Sequence, residues 1–149
     1  MDTAKLTSLA KDARIHILNM VYNASSGHIG GAFSAIDIMV YLYFHKMNVT
    51  PGNYDDCHRD RFVLSKGHAS AALFACLAMK GFFPVEELMT FRKIGSRLQG
   101  HPSHKLLKGV EQSTGSLGQG LSFANGAAIA LKNDGSDAKV YCVIGDGEI

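Results

Sequence analysis

Two short apolar runs, Arg61-Phe62-Val63-Leu64-Ser65 and Lys139-Val140-Tyr141-Cys142-Val143-Ile144, constrain the fold of this chain more than any other feature. Each has a strand's length and is rich in β-branched or aromatic residues. Each ends on a glycine-rich turn, Lys66-Gly67-His68 in one case and Gly145-Asp146-Gly147-Glu148 in the other. The stretch between them is dominated by helical spacing. Strands separated by helices imply an α/β fold with a parallel sheet. In such sheets ligands gather at the carboxyl ends of strands, which is where both turns stand.

Leu6, Leu9, Ala10, Ala13, Ile17, Met20 and Val21 recur at helical spacing and predict an amphipathic helix over about Thr3 to Asn23. A polar, glycine-rich loop follows, Ser25 to Gly31. A second helix is expected from Ser34, a good N-cap, to Lys46, and its apolar residues lie nearly all round, as in a buried helix. Pro51-Gly52-Asn53 marks a turn. Ala69 to Lys80 reads as an alanine-rich helix closed by Gly81, and Pro84 opens a short helix through Ile94. Gly95 to Thr114 has little periodicity, and connections that long are often functional. Leu117 to Asn133, rich in Ala and Gly, reads as a helix with a close-packing face, or else as a glycine-broken loop. There are no internal repeats.

Composition narrows the partners. A chain of 149 residues, 46% hydrophobic and 19% charged, can bury a real core. A formal charge of +2 gives no reason to expect nucleic acid or an acidic membrane as a main partner. The longest apolar stretch, Ala35 to Phe44, is too short to span a bilayer and is interrupted by Asp37. The N-terminus has no secretory pattern, so the cytoplasm is the default. The three cysteines share no C-x-x-C spacing and read as reduced thiols, with Cys76 in a buried helix and Cys142 in a core strand. Asp55 to Asp60 matches no compact zinc spacing and reads as a solvated turn.

Three of seven histidines follow glycine in expected loops: Gly27-His28, Gly67-His68 and Gly100-His101. Glycine lets the backbone approach a ligand, and imidazole donates to phosphate or carbonyl oxygens near neutral pH. A shared site and three unrelated loops are both open on this pattern. Gly115-Ser116-Leu117-Gly118-Gln119-Gly120 leads into a helix, so it either binds an anion at the helix start or packs tightly through small residues. Its glycine spacing is not that of a dinucleotide fingerprint. Asp146, between two glycines after a strand, makes best sense as a Mg²⁺ ligand beside a diphosphate, the alternative being a plain Asp-Gly turn.

In this order the segments resemble the transketolase family. Ser26-Gly27-His28-Ile29-Gly30 looks like its first histidine loop, and Asp60 to His68 like its second. Gly100-His101-Pro102, Gly109-Val110-Glu111 and Ser113 to Gly120 resemble its third, and Gly145-Asp146-Gly147-Glu148 opens its thiamine diphosphate motif. Within the family the chain most resembles the short N-terminal subunits of split bacterial and archaeal enzymes. The resemblance implies a doubly wound, parallel-sheet thiamine diphosphate-binding fold. Residues 1–149 are expected to form its N-terminal part, truncated at the C-terminus.

The resemblance also implies roles. His68, Gly147 and the Gly115-Ser116-Leu117 stretch contact thiamine diphosphate, Asp146 holds Mg²⁺, and His28 and His101 face the sugar. The implied reaction moves a two-carbon ketol unit between sugar phosphates. The implied partner is a pyrimidine-binding C-terminal subunit or domain, in a dimer or heterotetramer when complete. Ser116 stands where many full-length members have proline. The asparagine that completes the metal site, and the glutamate that activates the aminopyrimidine, lie outside these residues. A deoxyxylulose-phosphate-synthase-like enzyme, a non-catalytic fragment that binds a partner domain, and more remotely a dinucleotide-binding module are the competing readings.

Overall fold

The structure is a computed structural model and describes residues 2–149. The first helix, α1, spans Thr3–Ala24 and starts where the Asp2 carboxylate accepts a hydrogen bond from the Lys5 amide at 2.8 Å. That contact satisfies one of the orphan donors of a helix start. Its buried stripe, Ala10, Ala13, Ile17, Met20 and Val21, is the one the spacing predicts.

Helix α2 spans Ile29–Tyr41 and continues as one π-helical turn, Leu42–Lys46. Its start departs from expectation. His28 is the N-cap, and Gly30 and Gly31 form part of the first turn. Ser34 lies inside the helix, its hydroxyl donating to the Gly31 carbonyl at 3.1 Å. Packing explains the difference: at Gly31 an added Cβ would stand 3.2 Å from the His68 ring, so the glycine lets this turn dock closely. Such a contact outweighs the poor helix propensity of glycine. Nor is α2 buried all round, because Ile38 and Tyr41 are exposed.

Strand β1, Arg61–Leu64, feeds a single 3₁₀ turn and then α3, Ser70–Met79. Every residue of α3 from Ser70 to Ala78 is buried, against both α1 and α2. Gly81 closes the segment at φ 91°, where glycine is favoured. The helix expected after Pro84 is a 3₁₀ stretch, Val85–Thr90, followed by turns. Leu88 at its centre, Phe91 at its end and Leu98 in the turns beyond all enter the core. The long connection is also packed, with Leu98, Leu107 and Val110 buried.

Helix α4 spans Gln119–Asn133 and begins two residues later than expected, because Gly118 turns the chain at φ 85°. It leads to strand β2, Val140–Val143. The strands pair in parallel from Arg61 opposite Val140 to Leu64 opposite Val143. The fold is therefore α/β, as expected, with two paired strands among the described residues. Phe62 to Leu64 are buried, whereas β2 is half-buried along its length. Cys142, expected in the core, is therefore only half-buried. Among the described residues no helix is long and apolar enough to cross a membrane.

The Asp55–Asp60 turn is solvated only in its first part. Arg59 and Asp60 are buried. Arg59 pairs with Glu111 and stacks over Tyr54, its Cζ 3.9 Å from the ring centroid. The two Asp60 oxygens accept from the Asn48 and Lys139 amides at 2.8 and 2.7 Å, fixing the starts of both strands.

Candidate functional site

The three glycine–histidine segments meet beyond the carboxyl end of β1. The His28 and His68 rings stand edge to face, 5.3 Å apart. His101 is carried by a loop anchored to the start of α3, where the Ser70 hydroxyl donates to the Gly100 carbonyl at 2.9 Å. Its ring lies over Gly115, where an added Cβ would come within 3.1 Å. Gly67 is pressed against the Thr114 carbonyl, which an added Cβ would approach to 2.6 Å. No side chain fits there, so this glycine allows the second and third histidine segments to touch.

His68 is held below the ordinary imidazole value of 6.5, first by burial and then by His28, Lys66 and His101, with Glu148 pulling the other way. Lys66 is buried, and its ammonium donates to the Ser34 hydroxyl at 3.0 Å. At neutral pH His68 is therefore a neutral ring, able to donate one N–H and accept at the other nitrogen.

Glu148 is the residue that sequence reasoning left without a role. One of its oxygens accepts from the Ser65 hydroxyl at 2.7 Å and from the Gly118 amide at 2.9 Å, and the other accepts from the Gly145 amide at 2.6 Å. A single carboxylate thus joins the end of β1, the start of α4 and the end of β2. Burial pushes its pKa up, but the Gly118, Ser65 and Gly145 donors, with His68 nearby, outweigh burial and hold it below the usual value. At the start of α4 the Gly118 amide is satisfied by the chain's own Glu148. The available signal was an acid directly after Gly-Asp-Gly, at a strand end facing a glycine-rich helix start.

The other expected residues lie along the same rim. Asp146 is exposed and makes no hydrogen bond to another described side chain or backbone group. Gly147 has open space where a Cβ would be. Ser116 and Leu117 are exposed beside Gly115. Tight packing through a small residue holds at Gly120, where a Cβ would meet the Ser65 backbone at 2.6 Å, and not at Gly126, which faces open space. A cavity of about 480 Å³ opens beside the rim between Gln112–Ser116 and the first turns of α4; it includes Gly115 and Ser116 but none of the three histidines. Of the remaining histidines, His58 and His104 meet Ser136 and Ser113, and His45 packs on Tyr41.

These residues fit a diphosphate and a metal ion in kind. An exposed carboxylate without a partner, a neutral imidazole and a backbone with room beside Gly147 stand on one rim. Among the described residues no three His, Cys, Asp or Glu side chains form a metal-ligand set. A cation at Asp146 would draw its other ligands from phosphate oxygens, water or further protein groups.

Comparison with known proteins gives the same direction. Residues 6–149 match the family described as transketolase, thiamine diphosphate binding domain. The chain is 42% identical over 148 residues to one subunit of the apulose-4-phosphate transketolase of Phocaeicola vulgatus, covering 99% of this chain and 52% of that protein. It is 45% identical over 122 residues to the 6-deoxy-6-sulfo-D-fructose transketolase subunit SqwG of a Clostridium species, covering 82% of this chain and 44% of that one. The crystal structure of transketolase from Campylobacter jejuni superposes with a TM-score of 0.91 at 38% identity, over 99% of this chain and 24% of that one. The chain thus spans about half the length of these two curated relatives and a quarter of the solved enzyme.

Proposed function

This chain belongs to the transketolase family, and we propose that it supplies the diphosphate-binding side of an enzyme that moves a two-carbon ketol unit from a ketose phosphate to an aldose phosphate. The observation that carries this reading is the meeting of His28, His68 and His101 with the Gly115 loop at the end of β1, and the tie from there through Glu148 to the Gly145-Asp146-Gly147 turn.

In this reading His68, Gly147 and Gly115-Ser116-Leu117 would hold thiamine diphosphate, and Asp146 would hold Mg²⁺. The cofactor, when bound, supplies the carbon nucleophile and electron sink that ketol transfer needs. His68, kept neutral first by burial and then by His28, Lys66 and His101, would be able to donate a ring N–H to the diphosphate. His28 and His101 face the sugar, where an imidazole can take a proton from a hydroxyl and return it to a developing alkoxide. Glu148 holds the turn that carries Asp146. The designation of relatives as subunits supports a partner polypeptide; in this reading the partner brings the pyrimidine-binding part, in a dimer or heterotetramer.

The test uses the enzyme assembled with that partner, assayed with sugar phosphates, thiamine diphosphate and Mg²⁺. Asp146→Ala should abolish Mg²⁺-dependent cofactor retention in calorimetry while leaving the circular dichroism spectrum intact. His28→Ala should keep the cofactor and lower turnover by roughly ten- to hundredfold, the worth of one hydrogen bond to a charged group. Undiminished cofactor affinity in Asp146→Ala rejects the metal assignment. Absence of ketol transfer by the assembled enzyme rejects the function.

A further inference from the structure

Arg92 reaches two of the loops gathered at the site from a position on neither. Its φ is 59°, and only it and Ser25 among the described non-glycine residues are at positive φ. A bulky side chain in that region signals backbone strain, which surrounding contacts must hold in place. The Arg92 amide donates to the Leu98 carbonyl at 2.8 Å, closing a turn over fully buried Leu98. Its Nη1 donates to the Ser26 hydroxyl at 2.8 Å, two residues before His28. The same guanidinium lies against Gly100, directly before His101, where an added Cβ would stand 2.8 Å from Cζ and Nη2. Nε is buried and has no acceptor among the described residues. An unpaired buried donor is unfavourable, so the placement of this group is imposed by its other contacts. Nearby, the Asn23 side-chain Nδ2 donates to the Met89 carbonyl at 2.9 Å, tying the end of α1 to the same segment.

We propose that Arg92 is a positioning residue, which fixes the spacing of His28 and His101 by holding Ser26 and Gly100 on one guanidinium. The role rests on the ketol-transfer function, because it matters through the two rings that face the sugar. A small error in the placement of such groups lowers turnover without removing any of them. A planar, forked guanidinium suits the task, since it can donate to one loop while lying against the backbone of the other. An ammonium can do the first but not the second.

The experiment compares wild type, Arg92→Ala, Arg92→Lys and Gly100→Ala in the assembled enzyme. It reads hydrogen–deuterium exchange in peptides covering 24–32 and 98–103, together with kcat, sugar KM and thiamine diphosphate affinity. Arg92→Ala should speed exchange in both peptides together and lower kcat about tenfold, with KM and cofactor affinity within roughly twofold. Arg92→Lys should recover part of kcat. Gly100→Ala displaces the guanidinium while keeping the arginine and should reproduce the Arg92→Ala pattern, so it decides the matter if Arg92→Ala fails to fold. Faster exchange in one peptide alone, or in neither, overturns the clamp. A rise in KM with kcat unchanged overturns positioning in favour of direct sugar binding. An assembled wild type without ketol transfer overturns the proposed function and the catalytic role together, while exchange still reports whether the two loops are coupled.

Discussion

The two strands of one parallel pair differ in burial, although their sequences are about equally apolar. Phe62 to Leu64 of β1 are buried, and α3, which follows, is buried from Ser70 to Ala78. β2 is half-buried throughout, and α4 before it buries only Gly120 and Ala124, leaving Phe123 and Ile129 exposed. Neighbours account for the contrast. Helices α1, α2 and α3 and the segment after Pro84 pack on one another, whereas α4 and β2 pack on each other and on β1. Hydrophobicity decides what can be buried, and topology decides what is. The first region carries the core, and both regions contribute loops to the rim where they meet.

The sharpest way to break this contrast is to remove one aromatic from each region. Phe74, fully buried in α3, should cost about 3–5 kcal/mol when changed to Ala, because the surrounding helices can only partly close the cavity. Phe123→Ala in α4, at an exposed position, should stay within about 0.5 kcal/mol. Denaturant unfolding of both variants measures the difference, and equal costs would mean that α4 is as much a part of the core as α3.

The seam between the regions gives a second comparison, smaller in size. Gly120→Ala places a Cβ against the Ser65 backbone, so α4 must shift off β1 at a cost of about 1–3 kcal/mol. Gly126→Ala, in the same helix but facing open space, should instead stabilise by about 1 kcal/mol through helix propensity. Thermal unfolding should move in opposite directions for the two. A Gly120→Ala variant as stable as wild type would show that the seam is loose.

Much of this arrangement was legible in the residues. Both strands follow from short apolar runs that end on glycine-rich turns, their parallel pairing from the helices between them, and α1 with its buried stripe from its helical period. The start of α2 did not follow, since glycines at Gly30 and Gly31 read as loop until His68 is seen packed on the first turn. The segment after Pro84 reads as a short helix, but its 3₁₀ winding and its end at Thr90 are not legible, since Leu88 and Phe91, three residues apart, fit either winding. Of the candidate site, the three Gly-His pairs stood out as a pattern, but that pattern left a shared site and unrelated loops equally open. Arg92 and Glu148 there, and Arg59 and Asp60 at the strand starts, were not legible, because a charged residue beside a turn looks solvated until its partners on distant segments are known.

The smallest predicted effect lies where the regions meet, in the titration of His68 and Glu148. His68 is held below 6.5 by burial, then by His28, Lys66 and His101, against the opposing pull of Glu148. As pH falls through 6.5 the unfolded chain therefore takes up a proton before the folded one, and stability drops until the folded value is passed. Above 6.5 the effect vanishes. Glu148 acts lower and in the same direction: its contribution is complete above the ordinary 4.5 and is lost as pH falls through its depressed folded value. Both groups are partly exposed, so each effect is modest and screened. Denaturant midpoints at about pH 7.5 and about pH 5.5 should differ for wild type and differ less for His68→Gln. Glu148→Gln should widen that gap, because the carboxylate that favours the imidazolium is gone. If His68→Gln leaves the gap unchanged, the acid sensitivity belongs to another group, and the influence of Glu148 on His68 does not join the two regions electrostatically.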